Sequence, residues 1–261
     1  MALVDNLIAH WKMNDDAADA IVADATGNGH TGTFYDENTP ATITSDHSVT
    51  GKVNDALDFD GTNDYITAAD SDDFTYIGAP FSVAAWINIG VGGAAEFEII
   101  SKYQTGQAEW ALYLSGDALY FVFWDNTNGG NSGRIDTADY SLYEDSGIWL
   151  FVVATYDGTG SGTGIKLYLD GVQCDDSAES NGSYTAMENT TSSLYMGMRH
   201  DSPNKVTGQI DNVMLFDTEL TQAQINTLYN SGDGTESISA TAGELTIAPR
   251  RNDGLRARYE V

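Results

Sequence analysis

Residues 81–89 read FSVAAWINI, and this stretch decides the fold class. It is rich in aromatic and apolar residues and Gly90 follows it directly, which predicts a β-strand. Ten further short stretches have a similar character, and glycines fall between them. The predicted strands are residues 7–13, 56–60, 65–68, 81–89, 98–103, 110–114, 118–123, 149–156, 165–169, 193–198 and 209–216.

Turn residues between these stretches predict antiparallel neighbours. The turns are Asp60-Gly61, Ser115-Gly116-Asp117, Asp157-Gly158 and Asp170-Gly171, in which glycine supplies a positive φ. The 27 Gly are spread along the chain, with 4 Pro, as is typical of a multi-stranded sandwich or barrel. We therefore predict an all-β fold.

One helix is predicted at residues 221–229. Thr221 and Gln224 have the spacing of a capping box, and Ile225 and Leu228 share one apolar face. We expect this helix to close one end of the sandwich.

The charge balance excludes one class of function. The chain has 39 Asp and Glu against 11 Lys and Arg, a formal net charge of -28, so it lacks the surplus of cations that nucleic-acid binding needs. Hydrophobic residues make up 41% of the chain, enough for a folded core. No apolar stretch is long enough to span a bilayer, so we expect no membrane insertion.

Two further features concern the cellular setting. The first residues, MALVDNLIAHWKMND, have neither the basic nor the apolar region of a signal peptide, and we expect synthesis in the cytoplasm. Cys174 is the single cysteine, which excludes an internal disulfide framework and predicts an inert core or loop residue. The bias toward Asp over Glu is typical of proteins from saline habitats, although a like-charged surface that keeps the protein soluble explains it equally well.

Short motifs follow a distinctive order along residues 7–232. They are LIAHWKMND (7–15), DATGNG (24–29), ALDFDG (56–61), DYI (64–66), FSVAAWI (81–87), ATYDG (154–158), LYLDG (167–171), GQIDNV (208–213) and LTQAQI (220–225). This order resembles the laminin-G-like, pentraxin-related branch of the concanavalin A-like lectin/glucanase superfamily. The resemblance implies a two-sheet antiparallel jelly-roll sandwich with one short C-terminal helix and with its first and last strands adjacent. We predict a domain at 1–234 and an extended C-terminal arm at 235–261.

The resemblance also implies a structural Ca²⁺ beside the first and last main strands. The residues that match are Asp24 and Asp211, through their carboxylates, and Asn28 and His30, through backbone oxygens. Such oxygen ligands suit this hard cation. The alternative is that Asp24 only caps a turn.

A sugar-binding face is a further implication, since lectin-like members receive sugars on aromatic sheet faces. Rings stack on the apolar face of a pyranose, and nearby amides and carboxylates bond its hydroxyls. Alternation along the strands predicts one face rich in rings, with a rim of polar loop residues. The predicted glycan residues are Trp86, Tyr113, Trp124, Asp125, Asn126, Tyr156, Tyr168 and Tyr195. The alternative is that the rings form a second core layer or a subunit contact.

Catalysis has weaker support in the sequence. Glucanases of this superfamily carry a Glu-x-Asp-x-Glu-like run, and the nearest match, Glu96-Phe97-Glu98, lacks the third carboxylate. The four His show no nucleophile partner pattern. We predict no enzyme activity.

The last twelve residues differ in charge from the rest of the chain. They carry 4 cations and 2 anions, whereas residues 1–249 carry 7 cations and 37 anions. A basic arm is attracted to the acidic body of another copy. We predict homo-oligomerisation, or attachment to other virion proteins, through an arm that contains Arg250, Arg251, Arg256, Arg258 and Tyr259.

These features favour a virion surface protein of a virus or phage, such as a capsid decoration, fibre or adhesion protein, with cell-surface glycans as candidate ligands. One alternative stays open, a free carbohydrate-binding lectin-like domain of a marine or halophilic microbe that acts outside the cell. A polysaccharide-degrading enzyme is the third interpretation.

Overall fold

A computed structural model of the chain describes residues 3–36, 39–40, 43–181, 183–200 and 205–238. The strands are β1 Leu7–Trp11, β2 Ile21–Val22, β3 Gly32–Asp36, β4 Thr39–Pro40, β5 Ser48–Thr50, β6 Asp55–Asp60, β7 Tyr65–Ala68, β8 Phe81–Ile89, β9 Glu96–Lys102, β10 Trp110–Ser115, β11 Ala118–Asp125, β12 Gly130–Asp136, β13 Trp149–Tyr156, β14 Ile165–Leu169, β15 Val172–Gln173, β16 Ser177–Asn181, β17 Leu194–Met196 and β18 Thr207–Phe216. The α-helix, α1, is Gln222–Tyr229. Short 3₁₀ turns are Leu3–Asn6, Thr44–Asp46, Asp72–Phe74, Gly93–Ala95, Tyr140–Tyr143, Gly162–Gly164 and Asn230–Gly232.

The strands pair into two antiparallel sheets. The eight-stranded sheet has the order β15-β14-β13-β8-β18-β6-β5, and β1 also pairs with β18. The ten-stranded sheet has the order β16-β12-β11-β10-β9-β17-β7-β3-β2, and β4 pairs with β3. The predicted two-sheet sandwich is confirmed, and so is the adjacency of the first and last main strands.

Each of the predicted strands is present within a few residues of its predicted bounds. The predicted pairing across Asp60-Gly61 is wrong, because this turn leads from β6 in one sheet to β7 in the other. Gly61 has a φ of 79°, and the Asp60 carboxylate accepts a hydrogen bond from the Thr62 amide at 2.7 Å. The turn therefore links the two layers of the sandwich.

The main core lies between the sheets. Alternate residues of each strand point inward, and large aromatic side chains such as Phe34, Phe81, Trp110 and Phe121 are fully buried there. Phe81 lies 5.5 Å from both Trp110 and Phe121, measured between ring centroids. Burial of each such ring contributes on the order of 1.5–3 kcal/mol to the stability of the fold.

Helix α1 covers the outer face of the eight-stranded sheet. Its buried residues Ile225 and Leu228 pack on a second apolar cluster that includes Trp86 and Phe151. The predicted capping box is confirmed: the Thr221 side chain accepts from the Gln224 backbone amide, and the Gln224 side chain accepts from the Thr221 backbone amide. The expectation that the helix closes one end of the sandwich is wrong, because its apolar residues contact a sheet face.

The chain continues to contact the sandwich beyond residue 234. Glu236 accepts hydrogen bonds from Asn14 at 2.8 Å and from Asn54 at 3.0 Å, and it lies 3.3 Å from Lys12. Contacts therefore run through the last described residues, and the boundary at 234 stays a prediction. The predicted arm residues, Arg250 to Tyr259, lie outside the described residues.

Two smaller expectations concern Cys174 and membranes. Cys174 is half-buried against the main core, where burial and the adjacent Asp136 carboxylate raise the pKa of its thiol. Within the described ranges, no helix has the length and apolar character needed to cross a bilayer.

Candidate ligand-binding face

The outer face of the ten-stranded sheet carries a group of half-buried aromatic rings. Inward residues such as Phe34, Ile66 and Phe121 fill the core, so their neighbours along each strand point outward. We call the outward group the ring face; its members are Tyr35, Tyr65, Tyr103, Tyr113, Tyr120, Trp124 and Tyr195.

Cross-strand pairing lays several of these rings flat against one another. Tyr113 is directly opposite Tyr120, with centroids 5.2 Å apart and planes at 8°. Tyr35 and Tyr65 form a second stacked pair at 4.9 Å and 3°. Such pairs form rigid, partly exposed apolar platforms of the kind on which a planar or ring-shaped ligand can stack.

Cations lie over the same rings. The Arg199 guanidinium is 5.0 Å from the centroid of Tyr103 and 5.3 Å from that of Tyr113, and the Lys205 amine is 5.3 Å from Tyr65. These distances fall within the cation–π range. Two of the 11 cations of this acidic chain therefore lie on the ring face.

A buried carboxyl group lies beneath these contacts. Glu98 points away from the core because its neighbours Phe97 and Ile99 point into it, and its cross-strand partner is Tyr113. Its side chain is 0% exposed, and neither oxygen has a hydrogen-bond partner among the described residues. Arg199 Nε lies 3.6 Å from Oε1. Burial raises the pKa of Glu98 to about 7, against the lowering effect of Arg199.

At one side of the ring face, strand ends and loops line an open cleft of about 330 Å³. Tyr103 and Trp124 form part of its wall and meet edge to face, with centroids 5.0 Å apart. The remaining lining comes from the loops that follow β9 and β11 and from the start of β12. The rings thus continue into a concave site of the size that binds small molecules.

A family model, Laminin_G_3 of the Concanavalin A-like lectin/glucanases superfamily, matches residues 60–226. This chain is a member of that family. No curated protein matches the chain.

Solved structures with the same fold share little sequence with this laminin-G-like domain. The binding domain of Paraclostridial Mosquitocidal Protein 1 has a TM-score of 0.62 at 15% identity, covering 88% of this chain and 53% of that chain. Domain 4 of AbnA, a GH43 extracellular arabinanase from Geobacillus stearothermophilus, in complex with arabinotriose, has a TM-score of 0.60 at 17% identity, covering 88% and 98%. The botulinum neurotoxin serotype D binding domain has a TM-score of 0.59 at 18% identity, covering 87% and 52%. The chain spans about half the length of the two toxin domains.

Three of the predicted glycan residues do not lie on the ring face. Trp86 and Tyr168 belong to the eight-stranded sheet, in the cluster beneath α1, and Tyr156 points into the core between the sheets. Their exposure is 1%, 5% and 1%, which leaves no surface for a sugar. The expectation that these rings share one face is therefore wrong for them. Tyr113, Trp124 and Tyr195 do lie together on the ring face.

The predicted rim residues Asp125 and Asn126 hold loops in place. The buried Asp125 carboxylate accepts hydrogen bonds from Asn128, Thr185 and Ala186. Burial raises the pKa of Asp125, but these hydrogen bonds outweigh it and lower the pKa to about 2. Asn126 exchanges hydrogen bonds with the backbone of Ala108 at 3.0 and 2.8 Å. Both residues line the cleft, with side chains already occupied by protein partners.

The surroundings of Asp24 do not fit a calcium ion. Its two oxygens accept from the amides of His10, Thr26 and His30 and from the Thr26 hydroxyl. Burial raises the pKa of Asp24, yet these donors outweigh it and lower the pKa. A carboxylate enclosed by donors is satisfied as an anion, which is the alternative the sequence left open.

The other predicted calcium residues also make protein contacts. The Asn28 side chain donates to the Ile8 carbonyl at 2.8 Å, and the His30 carbonyl accepts from the Trp11 indole at 2.7 Å. Asp211 is buried, and its Oδ2 accepts from the Lys52 and Val53 amides. Asp211 Oδ1 has no hydrogen-bond partner among the described residues, so calcium binding by this domain stays a prediction.

Proposed function

We propose that this laminin-G-like domain is a non-catalytic carbohydrate-recognition module that holds a glycan on the ring face. The single observation that carries the proposal is the set of stacked, half-exposed rings on the outer face of the ten-stranded sheet. The names of the structural neighbours, a domain in complex with arabinotriose and toxin binding domains, support the same class of function.

The chemistry of the face suits a sugar. Tyr113 and Tyr120 stack on each other and are half-exposed, so their remaining ring surface can contact the apolar C–H side of a pyranose or furanose ring. Arg199 lies beside these rings and is partly exposed, so it can donate to neighbouring hydroxyls.

The test is a calorimetric titration of the full chain with a panel of neutral oligosaccharides that includes arabinotriose. Each titration is done with and without CaCl₂. Tyr113→Ala and Trp124→Ala should each weaken binding by about fivefold or more, since each removes a stacking ring worth roughly 1 kcal/mol or more. Val172→Ala is the matched control, because Val172 is an exposed apolar residue on edge strand β15 of the other sheet. Absence of binding to every sugar, or equal affinity in all three variants, would overturn the proposal.

We further propose that the module acts on a virion surface and assembles as a homo-oligomer through its C-terminal arm. The net charge of -28 and the four Arg among the last twelve residues support the assembly, since acidic bodies and basic arms attract. The alternative is a free extracellular lectin. Light scattering on truncated chains, described below, tests the assembly.

Hydrolysis of a bound glycan is the alternative to a purely binding module, and product analysis distinguishes the two. Release of reducing ends from a bound oligosaccharide would contradict the non-catalytic proposal, and binding without release would support it.

A further inference from the structure

A group of metal-ligating side chains lies away from the ring face, where the two sheets meet. Asp36 ends β3 of the ten-stranded sheet, His47 precedes β5 of the eight-stranded sheet, and Asp64 lies in the turn from β6 to β7. Their ligand atoms all lie within 4.8 Å of one another. Among the described residues, this is the one group of three His, Cys, Asp or Glu side chains with that geometry.

The contacts around the group fix each side chain. The His47 ring packs on Phe34, with centroids 4.3 Å apart, and the His47 carbonyl accepts from the Asp58 amide at 2.9 Å. Asn63 donates to Asp36 Oδ1 at 2.7 Å. A ligand held by such outer contacts is already oriented for a metal ion.

Asp64 supplies an independent sign of a missing partner. Its side chain is 3% exposed, Oδ2 accepts from the Asp60 amide at 2.9 Å, and Oδ1 has no hydrogen-bond partner among the described residues. His47 Nδ1 lies 3.7 Å from Oδ2. A buried carboxylate oxygen left without a donor is costly, and a cation is the partner that two carboxylates and an imidazole can share.

We propose that Asp36, His47 and Asp64 bind one divalent transition-metal ion, with Zn²⁺ as the preferred ion. Imidazole nitrogen disfavours Ca²⁺ and Mg²⁺, whereas Zn²⁺ accepts His nitrogen and Asp oxygen at about 2.0–2.2 Å. Asp36 and His47 are half-buried, so the ion has a route from solvent and a position for a water ligand.

The site would join the two layers of the sandwich. One ligand comes from each sheet, and the third comes from the turn that connects them. The ion would therefore hold Asp36 and His47 to the β6–β7 turn and stabilise the folded chain by binding it in preference to the unfolded one.

In the experiment, the metal-free full chain is titrated with ZnCl₂ alone. Calorimetry measures the binding, and thermal unfolding measures the change in stability. We expect one Zn²⁺ per chain and, at a hundredfold excess over the Kd, a rise in Tm of about 5–10 °C. CaCl₂ at the same concentration should give a smaller rise. Failure of Zn²⁺ to bind, or a larger rise with Ca²⁺, overturns the proposal.

Two variants test the assignment to these residues. His47→Gln and Asp64→Asn should each weaken Zn²⁺ binding by about a hundredfold, because each removes a direct ligand. His200→Gln is the matched control, since it removes a histidine that is not in the group, and it should keep the Zn²⁺ response. Circular dichroism checks folding; if Asp64→Asn does not fold, the partly exposed His47→Gln decides alone. Unchanged affinity in His47→Gln contradicts the assignment.

Discussion

At the scale of single residues, burial changes the protonation of Glu98. Its pKa is raised from an ordinary 4.5 to about 7, so between these values the folded chain binds more protons than the unfolded chain. The free energy of unfolding therefore falls as the pH rises from about 4.5 to about 7, by up to about 3 kcal/mol.

Replacement of Glu98 by Gln removes this titration. The difference in stability between Glu98→Gln and the unaltered chain should grow in favour of the variant across that pH interval and level off above it. Urea unfolding at a series of pH values measures the difference. Parallel pH curves for Glu98→Gln and the unaltered chain would contradict the prediction.

The aromatic residues show how far sequence reasoning reaches at this scale. Period-two alternation separates Tyr113 from Leu112 and Leu114, and the same argument applied to Leu119 and Phe121 would have found Tyr120. Alternation alone assigns neither a strand to a sheet nor a face to solvent. Trp86 points outward from its sheet as predicted, yet α1 covers it. The burial of Trp86 therefore depends on residues more than a hundred positions away in the sequence.

At the scale of elements, the N-terminus of α1 depends on one hydroxyl group. Thr221→Ala removes the side chain that caps the Gln224 amide and should lower the free energy of unfolding by about 1 kcal/mol. Thr221→Ser keeps the hydroxyl and should lie close to the unaltered chain. The urea midpoint distinguishes the two; equal midpoints for Ala and Ser would show that packing of Ile225 and Leu228 alone holds the helix.

Some strands could not be predicted from the sequence, for two physical reasons. Strand β12 reads GNSGRID, with two glycines and four polar or charged residues, and has little intrinsic preference for a strand. It forms because β11 and β16 supply hydrogen-bond partners on both sides. Strands β2 and β15 have two residues each, too few to give any periodic pattern. Long strands with apolar alternation were predictable, whereas strands imposed by their neighbours were not.

At the scale of the whole molecule, residues 235–238 contribute contacts that stabilise the sandwich. A chain that ends at residue 234 loses the Glu236 contacts and leaves the buried Asn212 amide without the Thr235 carbonyl, which accepts from it at 2.8 Å. We expect such a chain to lose about 1–3 kcal/mol of stability. A chain that ends at residue 238 keeps these contacts and should be more stable than the chain that ends at residue 234. Equal stability of these two truncated chains would contradict the prediction.

Assembly is tested with the same chains. Light scattering at low and high salt should show an oligomer for the full chain and a monomer for the chain that ends at residue 238. Salt should weaken the oligomer, since screening reduces the attraction between the Arg residues at the end of the chain and an acidic body. A monomeric full chain would remove the support for assembly and favour the free lectin.

The shielded thiol of Cys174 has a practical consequence. Because its pKa is raised and its side chain lies half-buried against the core, the single native thiol should react slowly with maleimides and other alkylating probes. A cysteine introduced at an exposed site on the eight-stranded sheet, such as Val172→Cys, would then be the preferred attachment point. The protein could be tethered to a sensor surface in one orientation, with the rings of the opposite sheet directed at the solution.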